Sequence, residues 1–530
     1  MKILLVTGLL AEKTVRETIR ETNTKHEVDV VTIPVQVISL LSTEQIANYL
    51  KQLNIDKNKY DLIIIPGLCP GSTQIIEEKT GIPCFKGTIH AFDLSILLKL
   101  DELDKILSRE KPADFLIEKY ILDNNLKTLI KLEEVKKTES IKIGRIYIPV
   151  NPPPFRILSE LTNVHLMNED FLLKKVNELI DKGADIVSIG FESKNPHPDL
   201  VYNIVKTIKR EFDIPIAIDT LIPSEILKGV EAGVDIVLSI DYCNVEHVID
   251  YIRETIPVII PYDSCRNYLP DTSMRILYID RLIDKIRDRL EHYILDPILD
   301  PPVVGNLFES INNYRELKRK YSDKPLLMGV SNVVELIDAD SIGLNTLLSV
   351  LALDVKASIL LVVEASSKTI DSTRELAIAS EMITLAYIRR SPPKDLGIDL
   401  LFVKDKRRID YKIDVEDAEE ITIENFEYRE ECKPQEYFRI RVDHENRFIE
   451  TLCVSRDRKL LIKSRSIEAL KNYILENKLV SSIPHAMYLG IELGKASEAI
   501  RINKNYIQDQ PLFREKKLLK TMMRGFKQHG

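Results

Sequence analysis

Asp219, Asp263, Asp296, Glu192 and Glu364, the amides Asn151 and Asn332, and the pair Ser239 and Asp241 share one context. Each stands at or just past the end of a short apolar, β-branched run. An ionised carboxylate accepts two adjacent N–H donors, and an amide both donates and accepts, so these are groups that hold a polar ligand. Asp219-Thr220 sets a carboxylate beside a hydroxyl at such a run end. Taken singly, an aspartate here is better read as the cap of a following helix, neutralising its dipole. Recurrence of carboxylates and amides after most of the runs favours a ligand site over a row of caps.

The elements that must position these residues are regular. The runs are Ile146–Val150, Asp185–Ile189, Pro215–Ile218, Val234–Leu238, Pro257–Pro261, Tyr293–Leu295, Pro325–Met328 and Ala357–Val363, each followed by apolar residues at helical spacing, such as Asn203–Phe212. Strict strand–helix alternation predicts parallel strands, and eight units over roughly 250 residues match a closed (β/α)8 TIM barrel, whose chemistry lies at the carboxyl ends of its strands. The fold class is therefore α/β, with this central barrel over residues 138–392. Residues 1–137 read as an open, Rossmann-like α/β domain, with strands Ile3–Val6, Val28–Ile33 and Tyr60–Pro66. Their glycines do not form the dinucleotide fingerprint G-x-G-x-x-G. Residues 393–530 read as an α+β domain: a strand at Leu400–Val403, an acidic loop or edge at Asp410–Asn425, and an antiparallel meander of Tyr437–Val442, Phe448–Val454 and Leu460–Ile462. Helices Ile467–Glu476 and Pro484–Ile502 follow.

Composition bounds the function. The 530 residues carry a formal net charge of −8, with both signs mixed along the chain, which argues against general nucleic-acid binding. The basic tail Arg514–Lys527 reads as a solvated helix end. No run approaches the ~18–20 apolar residues of a membrane span. None of the six cysteines lies in a zinc-type spacing. The expectation is a cytoplasmic protein with reduced, packing cysteines.

Several phrases carry a family resemblance. Asp185-Ile-Val-Ser-Ile-Gly-Phe-Glu-Ser193, Ile218-Asp-Thr220, Glu231-Ala-Gly-Val-Asp-Ile-Val237 and Leu295-Asp-Pro297 are similar, in order and placement, to strand-end motifs of the pterin-binding barrels. That family includes dihydropteroate synthases and methyltetrahydrofolate-dependent corrinoid methyltransferases. Val150-Asn-Pro-Pro-Pro-Phe155 loosely resembles the synthase's first loop. Met328-Gly-Val-Ser-Asn-Val333 resembles the methyltransferase motif, where the synthase has Ser-Arg-Lys. Ser188 stands where an Asp is usual, and the synthase's Arg-x-His near the eighth strand is missing. The three-part layout resembles dihydropteroate-synthase-like proteins of archaea.

The resemblance implies a pterin as substrate or ligand, held by Asp219 and Asp296 on its two adjacent N–H donors, with Asn332 on other ring heteroatoms. Asn151, Glu192, Asn244 and Ser331 complete the expected substrate-binding set. Asn151 is also the expected ligand of a Mg2+ ion beside a pyrophosphate. The implied reaction is condensation of a hydroxymethyl-dihydropterin pyrophosphate with an arylamine, in folate- or methanopterin-type metabolism. The alternatives are methyl transfer from a methyl-tetrahydropterin to a corrinoid protein, and a non-catalytic pterin-binding scaffold. A homodimer is the expected assembly. Three further features stay open: His197 as an acid or base or a solvated loop residue; the turn Gly67–Gly71 as an anion cradle or simple chain reversal; and the group Lys86, Thr88, His90 and Asp93, facing the barrel mouth or starting a helix.

Overall fold

The computed structural model describes residues 1–530 except 193–194, 407–414, 424–436, 445, 456–457, 481, 502–503 and 514–530. The basic tail and the two ends of the acidic 410–425 stretch lie outside the described residues. Residues 1–399 form one unit, and 400–516 a second.

The chain begins with a parallel sheet of β1 (Lys2–Gly8), β2 (Glu27–Ile33), β3 (Leu62–Ile65) and β4 (Cys84–Lys86), in the order β2-β1-β3-β4. β1 and β3 are buried on both faces, which is why they read as unbroken apolar runs. Gly67 sits in chain reversal: its N–H donates to the Thr88 carbonyl, and a Cβ there would meet the Gly87 carbonyl oxygen at 2.5 Å. Asp93 is fully buried and pairs with Arg389 of the helix Ser372–Arg389 at 3.1 Å.

The hairpin β5 (Ser140–Ile143) and β6 (Ile146–Pro149) comes next, antiparallel and outside the barrel wall. The eight barrel strands are β7 (Arg156–Leu161), β8 (Ile186–Gly190), β9 (Ile216–Asp219), β10 (Ile236–Ile240), β11 (Ile256–Ile259), β12 (Ile294–Leu295), β13 (Leu327–Gly329) and β14 (Ile359–Val363). All their pairings are parallel, β14 returns to β7, and a bridge from Leu295 to Leu326 closes the ring. This is the TIM barrel expected from the alternation, with one correction. The run Ile146–Val150 is not its first strand. Pro152, Pro153 and Pro154 have no N–H to give a ladder, so pairing resumes only at Arg156. The displaced hairpin plugs the amino end of the barrel. Ile141, Ile143 and Ile148 share one core with Leu158, Ile186, Ala217, Ile236, Val258, Ile294, Leu327 and Ile359. The buried Arg156 is satisfied there by the Tyr147 carbonyl at 2.6 Å and by both Glu133 oxygens, at 2.9 and 2.6 Å.

In the second unit, β16 (Tyr437–Asp443), β17 (Phe448–Val454) and β18 (Lys459–Ser464) form the expected antiparallel meander. β15 (Glu419–Thr422) adds to β18 in parallel, and residues 400–403 are not a strand. The helices run Ile467–Glu476 and Ile483–Arg501. Phe438, Ile440, Ile449, Ile462, Leu470, Leu489 and Leu493 build their shared core. No described helix is long and apolar enough to cross a membrane. Cys243 and Cys265, expected as free thiols, are joined in a disulfide with Cα atoms 5.5 Å apart. They lie on consecutive loops after β10 and β11, a proximity that their 22-residue separation hides.

Candidate ligand site at the barrel mouth

Side chains alternate along a strand, so one inward residue fixes the rest. Leu158, Ile186, Ala217 and Ile294 point into the apolar core. Two residues further along each strand the inward positions are Glu160, Ser188, Asp219 and Asp296. The barrel is thus apolar at its plugged end and carries carboxylates and a hydroxyl at the other.

These groups are held but not consumed by the protein. Glu160 and Asp219 accept no hydrogen bond among the described residues, and the Ser188 Oγ is buried without a partner. Burial, reinforced by the charge of Asp219, pushes the Glu160 carboxyl up to about 8. Burial alone raises Asp219 to about 6. At neutral pH Glu160 therefore keeps its proton and can donate, while Asp219 is mostly ionised and accepts. Gly190 makes room for this arrangement, since a Cβ there would lie 2.5 Å from Glu160 Oε1.

Asp296 stands just past β12. Its Oδ1 accepts from the Tyr314 hydroxyl at 2.6 Å and the Ile298 N–H at 2.7 Å. No described residue engages Oδ2. Burial raises this carboxyl to about 6, against the pull of the Tyr314 bond, the Ile298 N–H and the Arg275 charge. Arg275 is itself sealed in the wall, bonded to Asp300 at 2.5 Å and to the Ile298 carbonyl at 2.7 Å. Asn332 follows β13, and its Nδ2 donates to the Leu299 carbonyl at 2.9 Å, which fixes the amide beside the Asp296 loop.

The cap reading of Asp219 is settled by its neighbour. Thr220 Oγ1 accepts from the Ile222 N–H and donates to Glu225 at 2.5 Å, so the hydroxyl organises the turn and leaves the carboxylate free. Other expected residues are placed elsewhere. Asn151 precedes β7 and lies at the amino end, where the adjoining Val150 carbonyl accepts from Lys318 and Ser358. It is cut off from the mouth by the barrel core, so a Mg2+ ion held by Asn151 does not fit a ligand bound there. Asn244 is fully buried, and its amide is spent on the Asp241 N–H and the Ser239 and Leu221 carbonyls. Ser331 accepts from the Val363 N–H at 2.7 Å, tying the turn after β13 to the end of β14. Asp241 likewise accepts three loop N–H groups, from Cys243, Asn244 and Ser264. Glu364 pairs with Lys182 at 2.6 Å. Glu192 lies on the rim after β8, 2.8 Å from His197 Nε2 and 3.8 Å from His165 Nε2.

Sequence reasoning missed Glu160 and His165. The signal for Glu160 was present: a single acid in the run Arg156-Ile-Leu-Ser-Glu-Leu161 directly before a helix pattern.

The chain is similar to known proteins. The chain is 33% identical over 538 residues to the uncharacterized protein MJ0107 of Methanocaldococcus jannaschii, covering 97% of this chain and 99% of that protein. A stretch of 77 residues is 38% identical to dihydropteroate synthase of Clostridium beijerinckii, 13% of this chain and 29% of that enzyme. Among solved structures, Yersinia pestis dihydropteroate synthase aligns over 47% of this chain and 99% of its own, at 18% identity and a TM-score of 0.37. Residues 159–340 match the family model described as "Pterin binding enzyme", residues 410–509 match "PterinBD-DUF4346", and residues 1–89 match a family of unknown function, DUF6513. The pterin-binding match begins at Ser159, with the strand the structure assigns as first, and not at Ile146. The chain belongs to the family of the M. jannaschii protein, and its barrel is a pterin-binding enzyme domain related to dihydropteroate synthase.

Proposed function

We propose that the barrel mouth takes a reduced pterin and joins its methylene carbon to the nitrogen of an arylamine, in folate- or methanopterin-type metabolism. One observation carries the proposal: two ionisable carboxylates, Asp219 and the Oδ2 side of Asp296, face the mouth with no protein donor spent on them. The 2-amino-pyrimidinone edge of a pterin offers two adjacent N–H donors, which one carboxylate accepts as a bidentate pair. The protonated Glu160 and the Ser188 hydroxyl supply donors for ring acceptors. In the reaction the amine nitrogen bonds to the methylene carbon as the C–O bond to pyrophosphate breaks. The leaving group takes the electron pair, and the amine proton passes to a base. Positive charge spreads over the ring as the bond breaks, and carboxylates already fixed around it stabilise that charge without reorganising. Orientation of the two reactants supplies the remainder.

A second reading, methyl transfer from a methyl-tetrahydropterin, draws support from Glu160 and Asn332. A ring nitrogen leaves more readily when protonated, and Glu160 holds a proton at neutral pH. Calorimetry with hydroxymethyl-dihydropterin pyrophosphate, methyl-tetrahydropterin and unsubstituted pterin distinguishes these readings. Tightest binding of the pyrophosphate, with product formed on adding an arylamine, is the expected result. Preference for the methylated ligand would replace condensation by methyl transfer, and binding of none would overturn both. Asp219→Asn, which cannot accept a bidentate pair, should weaken pterin binding by roughly 2–4 kcal/mol; unchanged affinity would remove Asp219 from the site.

A further inference from the structure

We infer that His165, Glu192 and His197 form a binding site for a divalent transition ion of the zinc class on the rim of the barrel. His165 comes from the loop after β7, and Glu192 and His197 come from the loop after β8. One ligand atom from each residue lies within 4.8 Å of the other two. His197 Nε2 and His165 Nε2 approach the same oxygen, Glu192 Oε1, at 2.8 and 3.8 Å. The two imidazoles lie nearly parallel, 5.1 Å between ring centres and 13° between planes. Metal bonds of about 2.0–2.2 Å to nitrogen and oxygen place ligand atoms roughly 3–4 Å apart, so the site closes with side-chain adjustments of an ångström or less.

His165 supplies an independent observation. Its side chain is only 9% exposed, and its Nδ1 is buried with no partner among the described residues. At 3.8 Å its Nε2 is beyond hydrogen-bond reach of Glu192. The ring is held with Nε2 turned toward the Glu192 carboxylate and the His197 ring, yet hydrogen-bonded to no described residue. A metal ion between Nε2 and the other two ligand atoms would engage it. The two histidines and one carboxylate select against magnesium and calcium, which take oxygen ligands, and match the set that zinc uses where a fourth position stays open for water or a substrate oxygen. Two supports hold the ligands from behind. The His197 N–H donates to Glu225 at 2.8 Å, and Asn195 donates to Glu192 Oε2 at 3.1 Å. The site is distinct from the carboxylates of the floor, although Glu192 is only two residues beyond Gly190, which packs on Glu160.

The test uses the full chain, stripped with chelator and titrated with Zn2+ alone by competition against a chromophoric chelator, and with Co2+ alone by visible absorption. One ion per chain is expected, with a Co2+ spectrum of mixed nitrogen and oxygen ligation. His165→Ala and His197→Ala should each lower Zn2+ affinity at least tenfold, and Glu192→Gln should do so while keeping the shape of the loop. His247→Ala, at an exposed position of the helix Val245–Val248, should leave affinity unchanged. Circular dichroism checks that each variant is folded. Absence of stoichiometric binding, or equal loss in His247→Ala, would overturn the inference and leave the cluster a His–Glu ion pair.

Discussion

Glu160→Gln isolates the most perturbed carboxylate of the mouth while preserving its shape. In the unfolded chain this carboxyl titrates near its ordinary 4.5, and in the folded barrel near 8. Between those values the unfolded state has released the proton and the folded state has not. Stability contributed by this group is thus fully present below pH 4.5, falls as pH rises, and is lost above pH 8. At ~1.4 kcal/mol for each factor of ten, the upper bound is about 5 kcal/mol. Water in the mouth screens part of it, so roughly 2–3 kcal/mol is the working value. The glutamine cannot ionise, so the variant should match the wild type near pH 4.5 and exceed it by that amount near pH 8. Urea unfolding followed by far-ultraviolet circular dichroism at pH 5, 6.5 and 8 reads the difference, and subtracting the two profiles cancels the titrating groups that do not interact with Glu160, leaving Glu160 together with its neighbour Asp219. Parallel profiles would refute the reasoning, because they would mean that Glu160 ionises as freely in the barrel as in water.

Three further outcomes follow from the same geometry. Gly190→Ala places a methyl against Glu160 Oε1, the movable end of a side chain, so it should cost under about 1 kcal/mol of stability but weaken pterin binding roughly tenfold by calorimetry, the floor having been rearranged. Arg275→Met leaves the buried Asp300 without its partner and should destabilise the barrel by about 3–5 kcal/mol in urea unfolding, whereas the double change with Asp300→Leu should recover much of that loss. Cys243→Ser opens a loop of 22 residues and should lower stability by about 3 kcal/mol, with a matching fall in melting temperature when the wild type is reduced.

The barrel was legible because its signal is periodic and redundant. Seven of eight strands stand within two residues of their apolar runs at one or both ends, and the carboxylates Asp219 and Asp296 follow from strand ends that no other element could occupy. The first run differs for a local reason. Ile146–Val150 is a strand, but three prolines separate it from the wall, and the charged Arg156 disguises the strand that replaces it. The error carried Asn151 to the wrong end of the barrel and hid Glu160.

By itself the sequence determined which residues alternate, which face the interior and which end of each strand is polar, since strand period and helix spacing are properties of neighbours along the chain. Only the tertiary structure decided which polar residues remain available to a ligand. Asn244 is an amide like Asn332, yet both its oxygen and its nitrogen are spent on backbone, whereas Asn332 spends its nitrogen on the Leu299 carbonyl and keeps an oxygen with no partner among the described residues. His165 and Glu192, 27 positions apart in the sequence, meet because β7 and β8 are paired. Proximity and hydrogen-bond satisfaction depend on partners distant in sequence, and closure of the barrel is what brings those partners together.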